Sequence, residues 1–211
     1  MFNIPGKREV TEINRIKKKL RHKGKTRHTK GFRDGRGKFP ISNRIQDRPE
    51  EAAARQVIGH WEADTVLGKA DSACLLTLTD RCSRYLLSAK LDKKRSPVVM
   101  DAMLKLFAHV PTDYIQSITP DRGTEFHMHS QITNALGGVP FFFADPHAPW
   151  QRGTNENTNG LLREFFPKSF DFSSVDDSYI AVFVNLLNRR PRKCLGWKSP
   201  HEVFFDSLLH F

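Results

Sequence analysis

Residues 149–168 place the tightest limit on what this chain can become. Turn chemistry at Pro149 and Gly153 opens the stretch and Pro167 closes it, so a helix is expected to fill the middle. Glu156 falls in the first turn of that helix among small polar residues, with no apolar neighbour closer than Leu161. Arg163 lies seven positions further on, two helical turns, so the two side chains point the same way. A carboxylate and a guanidinium on one polar face suit a metal beside a phosphate. A solvated helix face accounts for this stretch alone equally well.

Two more carboxylates stand where solvation does not explain them. Asp64 interrupts the strand-like run His60-Trp61-Glu62-Ala63-Asp64-Thr65-Val66-Leu67, which Gly68 ends. Asp121 stands just past another strand-like run, within Ile118-Thr119-Pro120-Asp121-Arg122-Gly123-Thr124-Glu125-Phe126. Three such groups from separate parts of a chain can converge on a hard cation. Taken singly, Asp64 or Asp121 also reads as an ordinary strand-end or turn aspartate.

Charge separates the chain into two parts. Residues 1–58 hold 17 Lys and Arg against 6 Asp and Glu, which is the whole of the formal net charge of +11; the remainder balances 17 against 17. A neutral globule with a basic arm points to nucleic acid, the plainer alternative being a tail that aids solubility. Residues 6–38 are dominated by Lys, Arg and Gly, including Lys17, Lys18 and Lys19, and hold too little apolar surface to order themselves. The expected division is a basic DNA-binding arm over residues 1–43 and a folded domain over 44–211. Phe39 either stacks on bases or tethers the arm to the core. Three widely spaced cysteines, Cys74, Cys82 and Cys194, form neither a disulfide framework nor a zinc pattern. With no secretory signal at the start and no apolar run of membrane length, the expected site is the cytoplasm, in association with the nucleoid.

The domain reads as α/β. Strands are expected over residues 59–67, 74–80 and 85–91 with short loops, an antiparallel meander. A helix then starts at Ser96-Pro97, with Val99, Ala102, Met103, Leu106, Phe107 and Val110 along one face. A strand over 114–119 delivers Asp121, a helix over 128–136 stops at Gly137-Gly138, and a fifth strand covers 139–144. After the helix of Glu156, Ser174 with Asp177 opens another whose stripe is Ile180, Phe183, Val184 and Leu187, and Ser199 with Glu202 forms a capping box for a last one.

Three stretches together resemble the DDE transposase and retroviral-integrase catalytic core, and among these the insertion-sequence transposases of the IS-thirty family. They are Trp61-Glu62-Ala63-Asp64-Thr65, then Asp121-Arg122-Gly123-Thr124-Glu125-Phe126, then Asp145-Pro146-His147 leading into Trp150-Gln151-Arg152-Gly153-Thr154-Asn155-Glu156-Asn157. The resemblance covers about residues 44 to 206, and the 35 positions from Asp121 to Glu156 lie within the spacing of that superfamily. It implies a ribonuclease-H-like fold, a mixed five-stranded sheet flanked by helices. It implies Asp64, Asp121 and Glu156 as catalytic residues holding two Mg²⁺ ions, with Mn²⁺ as a substitute. It also implies cleavage at element ends with strand transfer into target DNA, carried out by a homo-oligomer on DNA.

Arg163, Arg152, Asn155 and Asn157 are candidate DNA contacts, each with a plain structural alternative as helix cation or cap. Gly123 is expected to permit the turn behind Asp121. Glu62 shares a strand face with Asp64 and suits a supporting role. His127 and His129 read as surface histidines rather than zinc ligands. The family places helix-turn-helix modules ahead of its core, and residues 1–40 resemble none. The rival to a transposase is therefore a catalytically weak, truncated DNA-binding remnant or regulator of a full-length transposase.

Overall fold

The computed structural model of the protein describes residues 39–69, 73–146 and 148–206. The chain divides into residues 1–36 and Gly37–Phe211, and the described residues all lie in the second unit. Lys17, Lys18, Lys19 and the rest of residues 1–38 lie outside them, as does His147. Phe39 and Ile41 pack against the core, so the folded part starts several residues ahead of position 44. Phe39 has ring contacts with His127, His129 and Phe143, which makes it a tether.

Strand β1 (Asn43–Arg44) and a short helix α1 (Glu50–Ala54) lead in. The meander follows as β2 (His60–Leu67), β3 (Cys74–Asp80) and β4 (Leu86–Leu91), paired antiparallel in sequence order. Helix α2 (Ser96–Phe107) crosses to β5 (Ser117–Thr119), which lies parallel to β2 on its free edge. Helix α3 (His129–Ala135) then leads to β6 (Phe142–Phe143), parallel to β1. Helices α4 (Gly153–Leu162), α5 (Asp177–Arg189) and α6 (Pro200–Asp206) complete the order.

The sheet runs β4-β3-β2-β5, and β6 attaches to β5 through a single parallel bridge, Ile118 to Phe141. Strands four and five are thus shorter than the sequence suggests. Residues 112–114 are a 3₁₀ turn, and Pro120 and Pro140 lack the N–H groups that would extend the ladder. Their carbonyls still accept, from Ala144 at 3.2 Å and Ile118 at 3.0 Å. The fifth α-helix is capped by Asp176, whose side chain accepts the Tyr179 amide, rather than opened by Ser174. The capping box of α6 forms as read, with Ser199 and Glu202 bonded reciprocally.

Every residue of β3 is buried, so the sheet is covered on both faces. Alternation divides its neighbours. Trp61, Ala63, Leu76 and Leu78 enter one core with Val99, Met103 and Phe107 of α2. Val66, Leu75 and Leu86 enter a second with Leu162, Phe166, Ile180 and Leu187. On this second face the cross-strand pairs change character along the strands. Val66 opposite Leu75 is apolar, whereas Asp64 opposite Thr77 and Glu62 opposite Thr79 are polar. The polar end is where the first turn of α4 lands.

Candidate active site

The register of two parallel strands brings the aspartates together. Glu62 of β2 lies beside Thr119 of β5, and Asp64 and Asp121 each stand two residues beyond that pair. Parallel neighbours run about 4.8 Å apart, so the carboxylates emerge side by side at the strand ends. Both meet one guanidinium. Arg152 NH1 lies 3.6 Å from Asp64 Oδ2, and Arg152 NH2 lies 3.6 Å from Asp121 Oδ2. These are ion pairs longer than hydrogen bonds. Arg152 NH1 also donates to the Ala63 carbonyl at 3.3 Å.

Each aspartate is aimed by a second donor. The Thr65 amide donates to Asp64 Oδ1 at 2.9 Å and Asn159 Nδ2 to Asp64 Oδ2 at 3.0 Å. The Gly123 amide donates to Asp121 Oδ1 at 2.8 Å. Burial pushes the Asp64 carboxyl above its ordinary range; Arg152 pulls it down and Asp121 pushes it up. Gly123 has φ −68°, open to any residue, so backbone freedom is not why glycine stands there. Space is the reason: a Cβ would collide with the Glu125 carboxylate and with Asp121 Oδ1. Glu125 is itself buried and accepts from Lys94 Nζ at 2.7 Å and Thr65 Oγ1 at 3.0 Å. Lys94 carried no signal in the sequence, since it stands in a run of charged loop residues.

The helix of Glu156 is bolted to the sheet by its first turn. Glu62 Oε2 accepts the Asn155 amide at 2.7 Å, and its Oε1 is paired with Arg81. Arg81 in turn donates through Nε to the Ala52 carbonyl at 2.7 Å. Asn155 Oδ1 accepts from the hydroxyls of Thr79 at 3.2 Å and Thr77 at 3.4 Å. Asn155 is fully buried, so its expected DNA contact gives way to a packing role. Asn157 and Glu156 are exposed. On a helical wheel Glu156 lies about 60° from Asn159 and about 20° from Arg163. Glu156 therefore borders the residue that touches Asp64.

Arg163 is half-buried and donates to the Leu67 carbonyl at 2.6 Å and to the Phe166 carbonyl at 3.2 Å, clamping the end of β2 to the end of α4. Burial lowers its pKa. Trp150 is 73% exposed. His127 is exposed as read, but His129 is buried against Phe141 and Phe143, a core histidine.

The donor set suits a hard divalent cation. Asp64 and Asp121 offer oxygens, and the place between them already holds a positive group, Arg152. Among the described residues no three His, Cys, Asp or Glu side chains close around a common point, so Glu156 stands next to the pair rather than completing it.

Two parallel strand ends that each deliver an aspartate, overlaid by a helix that carries a glutamate, sit in a ribonuclease-H-like fold. Residues 54–149 match the integrase core domain family. The catalytic core domain of BIV integrase superposes with TM-score 0.56 at 15% identity, over 73% of this chain and 98% of that one. A chain of the simian T-cell lymphotropic virus intasome superposes with TM-score 0.58 at 17% identity, over 80% of this chain and 59% of that one. These likenesses bear on the fold.

Sequence narrows the class. The chain is 40% identical over 177 residues to transposase InsI of insertion sequence element IS30A from Escherichia coli (strain K12), covering 84% of this chain and 46% of that protein. It is 38% identical over 192 residues to the transposase of IS4351 from Bacteroides fragilis, covering 90% and 58%. Over most of its length the chain is similar to these insertion-sequence transposases, and it spans about half the length of these curated relatives.

Proposed function

We propose that this domain cleaves DNA at the ends of an insertion sequence and joins those ends to target DNA, within a homo-oligomer assembled on DNA. The observation that carries the reading is the convergence of Asp64 and Asp121 on one cation beside the helix of Glu156. Asp64, Asp121 and Glu156 would hold two Mg²⁺ ions. Bound there, the ions supply the charge that lowers the pKa of an attacking water or 3′-hydroxyl and stabilises the leaving 3′-oxygen.

The chain's own residues orient the reaction. The Thr65 amide and Asn159 occupy one lone pair on each Asp64 oxygen and leave the others directed outward. Gly123 does the same for one oxygen of Asp121. With the carboxylates committed to a metal, the Arg152 guanidinium would be free to meet the phosphate, where its forked N–H groups match two oxygens. Glu156, next to the pair, would have to swing toward it to add the third carboxylate. The attacking oxygen bonds to phosphorus as the P–O3′ bond breaks, so no side chain becomes covalently attached.

The test is a strand-transfer assay on pre-cleaved ends with Mg²⁺ or Mn²⁺, comparing wild type with Glu156→Gln. Joined product from the wild type alone, and only with metal, is the expected result. Equal joining by Glu156→Gln would remove Glu156 from the site. DNA binding without joining by either protein would leave the regulator reading in its place.

A further inference from the structure

The charge beyond residue 58 sums to zero, yet residues 189–198 hold five cations and no acid: Arg189, Arg190, Arg192, Lys193 and Lys198. They form a tight reversal between α5 and α6. A 3₁₀ turn over Lys193–Leu195 ends at Gly196 with φ 63°, and Trp197 follows with φ 69°. That backbone suits glycine and strains a bulky residue. Crossed main-chain bonds hold it: the Trp197 amide donates to the Arg192 carbonyl at 3.0 Å, and the Arg192 amide to the Lys198 carbonyl at 2.9 Å. The underside is anchored by the Arg192 guanidinium, which turns inward to the Leu187 carbonyl at 3.1 Å. The outcome is a tryptophan 70% exposed at the tip of a basic turn. Backbone strain held in place by its surroundings concentrates where a side chain is presented for function.

The cations around the indole are accessible. Arg189 and Lys193 are exposed. Arg190 pairs with Glu164 at 2.9 Å and Lys198 with Asp206 at 3.4 Å, both exposed pairs of the kind that exchange partners at little cost. Glu164 also fixes where the turn lies, two residues past the end of α4. At a helical rise, Glu164, which the turn reaches through Arg190, is about 12 Å from Glu156. DNA lying along α4 would cover this in three to four base pairs at about 3.4 Å each.

We propose that this turn is a second DNA contact, in which the Trp197 indole stacks on an unpaired base while Arg189 and Lys193 hold the neighbouring phosphates. The inference rests on the DNA-binding part of the reading above and is independent of catalysis. A ring face binds any base that is out of its stack, whereas paired bases present only their edges in the grooves. An exposed tryptophan can also anchor a protein, but a ten-residue turn of five cations and no acid favours a polyanion.

The test uses the full chain carrying Trp150→Phe, which leaves Trp197 as the exposed indole and Trp61 fully buried. Binding of a labelled single-stranded oligonucleotide and of a blunt duplex is followed by anisotropy, with tryptophan emission read in parallel. Single-stranded DNA should quench the exposed emission. Trp197→Ala should weaken single-strand binding about tenfold and duplex binding much less, and Trp197→Phe should restore most of the loss. Bound DNA with unchanged emission, or single-strand affinity unaltered in Trp197→Ala, overturns the proposal and leaves the transposase reading intact. Self-association lost in Trp197→Ala without DNA, with single-strand affinity kept, makes the turn a protein contact instead. Failure to bind either DNA overturns both readings.

Discussion

Glu62 and Asp64 stand two residues apart on the same face of β2, and their surroundings differ at every point. Glu62 is 0% exposed, paired with Arg81 at one oxygen and with the Asn155 amide at the other. Asp64 keeps 24% of its side chain in solvent, and its cation stands off at 3.6 Å. The first carboxylate belongs to a closed network that locks the first turn of α4 to the sheet. The second is aimed by two hydrogen bonds and left open toward a positive charge that can be exchanged. Under the proposed reading, a structural acid directly behind a metal-binding one would let the helix of Glu156 be placed rigidly while the outward oxygens of Asp64 stay available.

The largest effect should come from breaking the closed side. Glu62→Ala would leave the Arg81 guanidinium buried without its partner and free the first turn of α4, a loss of about 3–5 kcal/mol in denaturant unfolding. Asp64→Asn should change stability by about 1 kcal/mol or less, since it removes a partly solvated charge with an exchangeable partner. Equal losses in the two variants would erase the distinction.

Next comes the exchangeable cation. In Arg152→Gln, a divalent ion no longer competes with a guanidinium. Its affinity measured calorimetrically without DNA should rise about fivefold, corresponding to about 1 kcal/mol of removed ion pairing. Strand joining should fall in the same variant, because the phosphate loses a forked donor. Weaker metal binding in Arg152→Gln would instead make the arginine a support of the site.

The smallest effect lies one shell further out. Asp145 accepts from Gln151 Nε2 at 3.1 Å, Gln46 at 2.8 Å and Arg122 at 3.2 Å, which ties the residues flanking Asp121 and Arg152 to one carboxylate. The Gln151 hydrogen bond leads in holding Asp145 below the usual carboxylate range. A depressed folded pKa stabilises above the unfolded value and ceases to do so as pH falls through the folded one. Stability of the wild type should therefore decline below about pH 4, and Asp145→Asn should make that decline shallower, as read from thermal midpoints across the acid range.

The meander and the α2 stripe were legible because each rests on local periodicity, and the strand-like runs marked the strand ends where Asp64 and Asp121 stand. Proline chemistry at 120 and 140 could have warned that the outer strands would be short. The pairing of Arg152 with two aspartates was not legible, since it depends on register between strands more than 50 residues apart in sequence. Asn155 looked like its neighbours Asn157 and Asn159, and only the landing point of α4 separates a buried bolt from the exposed Asn157 and the half-buried Asn159 that meets Asp64. Gly123 was read as a conformational need where the need is room beside Glu125 and Asp121.

The most direct measurement is a Mn²⁺ titration followed by electron paramagnetic resonance on wild type, Glu62→Gln and Asp64→Asn. The account predicts that Glu62→Gln binds the ion within a fewfold of wild type despite its lower stability, while Asp64→Asn, folded and near full stability, loses the high-affinity signal. Wild-type Mn²⁺ binding by Asp64→Asn would contradict the assignment of this carboxylate as the open one.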